Sequence, residues 1–468
     1  MPTSCASSNS SSPSRSGSSE SSASVSVTLE VPTNHRLLVL KKELCWLQIE
    51  ETLAPHWRAA GKNVDGGRGR PFDLPFYTRV VVLMMLLRLK PRELERELKE
   101  NAPARLFVEV AHPTETLVRD HANVDRTLRA LGALGMERLN AMLLREAVEL
   151  DFADPQVLSS DTTAQELPIG YPNEPGILRQ VFQRFERVVL RLKKAGLSLG
   201  ETLLEPGRKL LKLVREHRLF AKSPEEKHTV LGRIVEQSQE LFSVAEQVQQ
   251  HLAGRCESFL RNASAKLASL TDFLRRLTPQ IRHWMATGKV AKDKLLHAGL
   301  EQARAIVRNK LGKKCEFGFA WLLCRLGGGY AFGKMLPKPP AESRMPIVAV
   351  ELYQGVFGRT RVPKLKVYDR GGWAAKTIEK LSRMGVEKIG IVPRGQAEWL
   401  VGEADQDTVK TQRAQTEAII GTLKSEFYGF NKPKQRSTQT VELSGQGSLV
   451  SVNLNRFLKD LLKINKTP

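Results

Sequence analysis

Cysteine is scarce in this sequence. The five cysteines are odd in number and widely spread, and none forms a Cys-x-x-Cys pair or lies at zinc-ligand spacing from a histidine. This pattern disfavours a disulfide framework and a structural zinc site, so we expect reduced side chains. The five are Cys5, Cys45, Cys256, Cys315 and Cys324.

Long hydrophobic runs are also missing. The most apolar stretch, Val80 to Leu89, is about half the roughly 20 residues that span a bilayer, and it contains Arg88. The N-terminus lacks the order of a basic and then an apolar segment that marks a signal peptide. We therefore expect a soluble, cytoplasmic protein that does not insert into a membrane.

Acidic residues are outnumbered by basic ones. The chain has 72 Lys and Arg against 50 Asp and Glu, a formal net charge of +22 and a pI near 9.9. Such an excess favours a polyanionic partner, either nucleic acid or a charged membrane surface, without indicating a fold.

With 468 residues, the chain is long enough for two or three domains. Residues 1–27 are Ser-rich, with almost no large apolar side chains, and are predicted to be a disordered tail. Residues 28–150 follow a helical period and are expected to form a helical domain that binds DNA ends. Residues 151–468 are predicted to form a second domain, which a long all-helical insertion at about 176–310 interrupts.

The helical N-terminal region contains a basic loop, Gly66 to Pro71. It places Arg68 and Arg70 on flexible backbone just before Asp73, which we predict to cap the next helix. Two interpretations stay open, a DNA-contacting module and a solvated basic turn.

The second domain is predicted to contain a sheet. The first strand runs into a turn at Asp161, two later segments form a hairpin across a Gly-rich turn, and two more flank a helix at Ala374 to Met384 in a β-α-β unit with parallel pairing. The predicted strands are Val157 to Asp161, Cys315 to Leu323, Gly329 to Leu336, Leu365 to Asp369 and Lys388 to Pro393.

The insertion has helical periodicity and no strand pattern. Its first helix has an apolar stripe that includes Val181 and Phe185, which predicts a bundle of long helices. A second stripe is basic, and it is typical of a solvated face or of a surface that contacts DNA. Its members are Arg184, Arg187, Arg191 and Lys194.

Two carboxylates lie at the ends of predicted strands, Asp161 and Asp369. At the ends of adjacent parallel strands they would meet at one edge of the sheet, where ligand sites of α/β proteins form. Mg²⁺ needs few protein ligands because it keeps waters and takes phosphate oxygens from the substrate. Two or three acids are therefore enough for a pair of metal ions that promotes phosphodiester displacement.

A third acid lies on a helix predicted at about Thr408 to Tyr428. Arg413, Glu417 and Lys424 fall on one face of it. Spacing alone also fits an ordinary pair of stabilising salt bridges.

The segment from Arg413 to Lys424 resembles the Arg-x3-Glu-x6-Lys signature of DDE transposases from bacterial insertion sequences, with Lys410 where that family has Tyr. Ser159 to Thr163 and Tyr368 to Gly372 resemble its first and second Asp motifs. Gly69 to Leu74 is similar to its helical lead-in. The resemblance covers most of residues 65 to 465.

This resemblance implies a ribonuclease-H-like α/β catalytic core with a mixed sheet. It also implies that Asp161, Asp369 and Glu417 are catalytic and bind Mg²⁺ or Mn²⁺, two ions in all, while Arg413 and Lys424 hold DNA phosphates. Further candidates for phosphate contacts are Arg370, Arg68 and Arg70, and Trp373 is either a base-stacking residue or a packed core side chain.

The leading hypothesis is therefore a transposase that binds the terminal inverted repeats of its element, cleaves the strand and joins it to target DNA. Handling two ends suggests a homodimer in the synaptic complex. Two alternatives stay open, a catalytically silent DNA-binding protein derived from a transposase, and a structural nuclease or resolvase on the same fold.

Overall fold

The computed structural model describes residues 30–67, 69–110, 121–170, 172–255, 257–310, 313–393, 397–434 and 437–464. It is a mixed α/β structure in which helices surround one six-stranded mixed sheet. The predicted Ser-rich tail at 1–27, Arg68 and Tyr171 lie outside the described residues. So do Cys5 and Cys256.

Six helices precede the sheet. Asp73 caps the third of them as predicted, because its Oδ1 accepts the Phe76 N–H at 3.1 Å. That helix contains most of the apolar run, which is buried in the core. No helix within the described ranges is both long and apolar enough to cross a membrane. The six are α1 Arg36–Glu43, α2 Trp46–Ala59, α3 Leu74–Leu87, α4 Pro91–Glu100, α5 Ala102–Val108 and α6 His121–Glu149.

The insertion forms its own helical unit. Its apolar stripes face one another as predicted, and Val181, Phe185 and Phe273 are fully buried in a core separate from that of the sheet. Its helices are α7 Glu174–Lys194, α8 Leu204–Leu219, α9 Pro224–Leu252 and α10 Ser258–Thr287.

The predicted end of the insertion was wrong. A strand, β2 (Arg304–Lys310), lies inside the range 176–310, which was expected to be all helical. It is an edge strand that pairs with β3 (Lys313–Gly327). Its extended backbone is stabilised by this pairing, and the residues of β2 show no alternation that would predict a strand.

The sheet has the order β2-β3-β1-β5-β6. β4 pairs with residues 320–325 of β3, beyond the part of β3 that pairs with β2. β1 (Asp154–Glu166) is central, antiparallel to β3 and parallel to β5, which is in turn parallel to β6. The predicted hairpin and the parallel β-α-β unit are both confirmed. The remaining elements are β4 Ala331–Leu336, α11 Met345–Phe357, β5 Leu365–Tyr368, α12 Ala375–Arg383, β6 Lys388–Ile391, α13 Glu403–Lys424 and α14 Thr438–Ile464.

The last helix, α14, joins the two parts of the chain. It packs on α6 and α3 on one side and on β4 on the other. Asn453 lies between them, and its Nδ2 donates to Asn140 Oδ1 at 2.7 Å and to the Ala331 carbonyl at 2.7 Å. The helices before the sheet, the sheet and α14 therefore share one apolar core.

A lysine lies wholly inside this structure. Lys366 on β5 is 0% exposed, and its Nζ donates to Ser160 Oγ at 2.5 Å and to the Val367 carbonyl at 2.8 Å. Burial lowers the pKa of Lys366 from 10.5 to about 7, against the opposing effects of Cys324 and Asp161. A lysine side chain buried so far from water destabilises the folded protein whenever its amine is protonated.

We expect the stability of the protein to rise between pH 7 and pH 10 because of Lys366. In this window the unfolded chain holds the proton more tightly than the folded one, so the free energy of unfolding increases with pH. Relative to Lys366→Met, the wild type should gain a few kcal/mol from pH 7 to pH 10 in chemical denaturation. Lys364→Met, on the exposed neighbour, is the matched control. Parallel pH profiles of the wild type and Lys366→Met would contradict this expectation.

Candidate active site

Asp161 lies within a strand and not at its end. The prediction that the strand stops at Asp161 was wrong, because β1 continues to Glu166 through its antiparallel ladder with β3, in which Asp161 is opposite Leu323. The Asp161 Oδ1 accepts the Thr162 N–H at 2.7 Å, and the side chain is half-buried.

Asp369 directly follows β5, as predicted. The parallel register pairs Ser159 with Val367, and the same register continued by two residues places Asp161 level with Asp369. The Asp369 Oδ1 accepts the Gly371 N–H at 2.9 Å and so caps a short 3-10 turn, Arg370–Gly372. The two aspartates thus lie at equivalent positions of adjacent strands, just past the last paired residues.

Asp161 is on the sheet face that α13 covers. Alternate residues of a strand share a face, so Asp161 is on the side of Ser159, whose Oγ accepts a hydrogen bond from Thr416 of α13 at 2.7 Å. Asp369 likewise follows Val367, which packs against Val409 of the same helix. The helix with the predicted third acid therefore covers the strands that position the first two.

Glu417 neighbours the buried Thr416, but its own side chain is 66% exposed. Its Oε1 is 3.8 Å from Nη2 of Arg413, in the predicted i,i+4 arrangement. Within the described ranges, no three His, Cys, Asp or Glu side chains lie close enough together to form a metal-binding group. The structure thus brings two of the predicted acids to one edge and keeps Glu417 on the adjacent helix surface.

The position of α13 depends on a residue that the sequence analysis missed. Arg325 of β3 is 6% exposed and donates to the side-chain oxygens of Gln412 and Gln415. These glutamines and Thr416 form the sheet-facing side of α13, and Arg413 and Glu417 border it. No motif marks Arg325, because its role comes only from pairing between distant segments.

A further carboxylate near the aspartates was also missed. Burial raises the pKa of Tyr368, and after burial the largest contributions come from Asp161, Asp369 and Glu342. Glu342 lies in the turn before α11, and its side chain packs so closely on Gly371 that a Cβ there would be 2.6 Å from the carboxyl carbon. Its sequence context has no strand or helix pattern that predicts this position.

The other predicted site residues are dispersed. Arg370 is exposed on the turn after Asp369. Trp373 is half-buried and packs against the main core. Lys424 lies at the C-terminal end of α13, in a cleft with Arg88, and Arg70 is exposed in the loop before α3.

The geometry is the main guide to function, because no protein-family model, no curated protein and no solved structure matches the chain.

We expect Arg325→Met to loosen α13 specifically. The change leaves two amide oxygens without their buried donor, so the free energy of unfolding should fall by about 2 to 4 kcal/mol. Hydrogen exchange of residues 403–424 should increase more than that of β1. Lys410→Met, on the exposed side of the same helix, should change neither measurement, and equal effects of the two variants would contradict the anchoring role of Arg325.

Proposed function

We propose that this protein is a metal-dependent DNA transposase that cleaves and joins strands at the ends of an insertion sequence. The observation that carries the proposal is the parallel register of β1 and β5, which, continued by two residues, puts Asp161 level with Asp369. Crevices at such strand edges are where α/β sheets bind ligands.

The sheet topology supports a ribonuclease-H-like core. A long central strand is antiparallel to a hairpin on one side and parallel to two short strands on the other. The first acid is on the central strand, the second follows the neighbouring parallel strand, and a helix with the third covers both. This order fits the arrangement that the sequence motifs imply.

The donor set suits a hard divalent cation. Asp161 and Asp369 offer only oxygen ligands, and both act on the same buried phenol of Tyr368, so they share one environment. These two residues would hold Mg²⁺ or Mn²⁺, with Glu417 as the third acid. When bound, such ions activate a water or a 3′-hydroxyl and stabilise the leaving oxygen of a phosphodiester.

The residues of the chain itself would bind and orient DNA. Arg413 lies beside Glu417, and Lys424 is two turns further along the same helix, so one helix would hold successive phosphates. Arg370 adds a cation next to Asp369. The net charge of +22 favours the encounter with DNA.

We expect Asp161→Asn and Asp369→Asn to abolish metal-dependent strand cleavage. Losing a ligand removes several kcal/mol of charge stabilisation, so nicking should fall at least about a hundredfold. The assay would incubate a supercoiled plasmid that contains the DNA flanking the coding region with Mg²⁺ or Mn²⁺, and would count nicked and strand-transfer products. Nicking by Glu417→Gln should fall in the same way.

Asp407→Asn is the matched control, because Asp407 is an exposed carboxylate on the same helix, ion-paired with Lys410. Cleavage that survives in all three site variants would overturn the proposal. Specific binding of the flanking DNA without cleavage in either metal would identify a catalytically silent DNA-binding protein instead. Cutting of branched DNA without strand transfer would identify a structural nuclease.

A further inference from the structure

A second feature of the surface is a deep cleft next to α13. It lies between the end of α3 and the start of α4 on one side and the 424–434 segment that leads to α14 on the other. Its volume is about 890 Å³. It begins at Lys424, seven residues and therefore roughly 10 Å along the helix from Glu417.

The cleft is rich in cations. Six basic side chains line it against three acidic ones, Asp125, Glu166 and Glu426. Lys90 is ion-paired with Glu93 and Arg129 with Asp125, whereas the described part of the chain provides no ion pair for Lys432 or Lys434. The six are Arg88, Lys90, Arg129, Lys424, Lys432 and Lys434.

Arg88 is half-buried in this cleft. Its Nη2 lies 3.5 Å from Ser448 Oγ, and no described carboxylate pairs with it. Burial lowers the pKa of Arg88 to about 10. Arg88 is also the C-terminal cap of α3, with a left-handed backbone at φ 56° and its N–H bonded to the Met84 carbonyl.

The cleft also has apolar and aromatic surface. Met85, Leu128 and Leu443 line it beside the cations. Phe427 is 54% exposed there and is supported edge-on by Tyr428, with ring centroids 4.9 Å apart. A half-exposed ring held in place next to phosphate-binding cations is the arrangement on which nucleic-acid bases stack.

We propose that this cleft binds an unpaired strand of DNA, with bases stacked on Phe427 and phosphates held by Arg88, Lys424 and Lys432. A double helix turns its base faces inward, so only an unpaired strand presents both groups to a cleft of this size. An acidic peptide would use the cations but not the aromatic ring.

The cleft is connected directly to the strand that contains Asp161. The Lys432 N–H donates to the Glu166 carbonyl at the end of β1 at 2.6 Å, and the Glu166 N–H donates to Asn431 Oδ1 at 3.2 Å. The inference rests on the proposed function: a strand cut at the aspartates would leave along α13 into the cleft, whose first cation, Lys424, is roughly 10 Å along the helix from Glu417.

Binding without catalysis tests this inference. A fluorescein-labelled dT12 strand would be titrated with the full chain in EDTA, and anisotropy would give Kd over a salt series. Phe427→Ala should weaken binding about five- to a hundredfold. Lys432→Met should reduce the slope of log K against log salt by about 0.7, the value for one single-strand phosphate. Arg88→Met should also weaken binding.

Phe220→Ala and Lys266→Met are the matched controls, because both residues are exposed on the insertion, away from the cleft. They should bind like the wild type. The inference is overturned if Phe427→Ala binds dT12 as tightly as the wild type, or if the wild type binds an abasic strand as tightly as dT12. It is also overturned if the wild type binds a 12-base-pair duplex more tightly than dT12, or if polyglutamate displaces dT12 at an equal concentration of charge. Because Phe427 is exposed, its variant tests the inference even if Arg88→Met fails to fold.

The two proposals fail separately. Asp161→Asn should lose cleavage and keep the dT12 affinity, whereas Phe427→Ala should lose affinity while the aspartates still bind Mn²⁺. If the protein cleaves DNA but Phe427 contributes nothing to dT12 binding, the transposase proposal stands and the proposal for the cleft is contradicted. Tight, Phe427-dependent binding without cleavage would do the reverse.

Discussion

The double pairing of β1 is the constraint on which the rest of the structure depends. One edge of β1 is hydrogen-bonded to β3 as far as Glu166, whereas the other edge is paired with β5 only as far as Ser159. Ser159 and Val367 are the last residues paired on that side, and Asp161 and Asp369 follow each of them by two positions. The candidate site exists because one neighbour of β1 ends before the other.

Buried polar groups fix the elements around this strand. Ser159 accepts a hydrogen bond from the hydroxyl of Thr416, and Arg325 donates hydrogen bonds to the glutamines of α13. Asn453 of α14 is hydrogen-bonded to α6 and to β4. Each group would be costly to bury without its partner, so these bonds select one register for each helix. Lys366 lies on the opposite face of the sheet, where its bonds to Ser160 and the backbone only partly offset its burial.

The cleft and the aspartates belong to one continuous piece of structure. β1 places Asp161 near its middle and holds the cleft loop at its end through Glu166 and Lys432. α13 starts beside β6 and ends at Lys424 in the cleft. A ligand that spans both regions would thus contact one strand and one helix, which are joined by the hydrogen bond from Thr416 to Ser159.

Much of the local structure could be predicted from the sequence. The hairpin, the β-α-β unit, the cap at Asp73 and the buried stripe of α7 all follow from periodicity and turn chemistry over a few residues. The length of β1 could not be predicted, because its second half is polar and is extended only through pairing with β3. β2 was not predicted for the same reason, because its extended backbone depends on pairing with β3.

The candidate site divides in the same way. Sequence alone indicated Asp161, Asp369 and the Arg413–Glu417 pair as candidate site residues, because predicted strand ends, helix stripes and motif likeness are local patterns. Tertiary structure alone decided that the register of β1 and β5 puts the aspartates level, that Glu342 packs on the turn after Asp369, that Arg325 anchors α13, and that Arg88 and Phe427 line one cleft. These contacts join segments far apart in the chain, and no local pattern records which distant backbone will stabilise a given side chain.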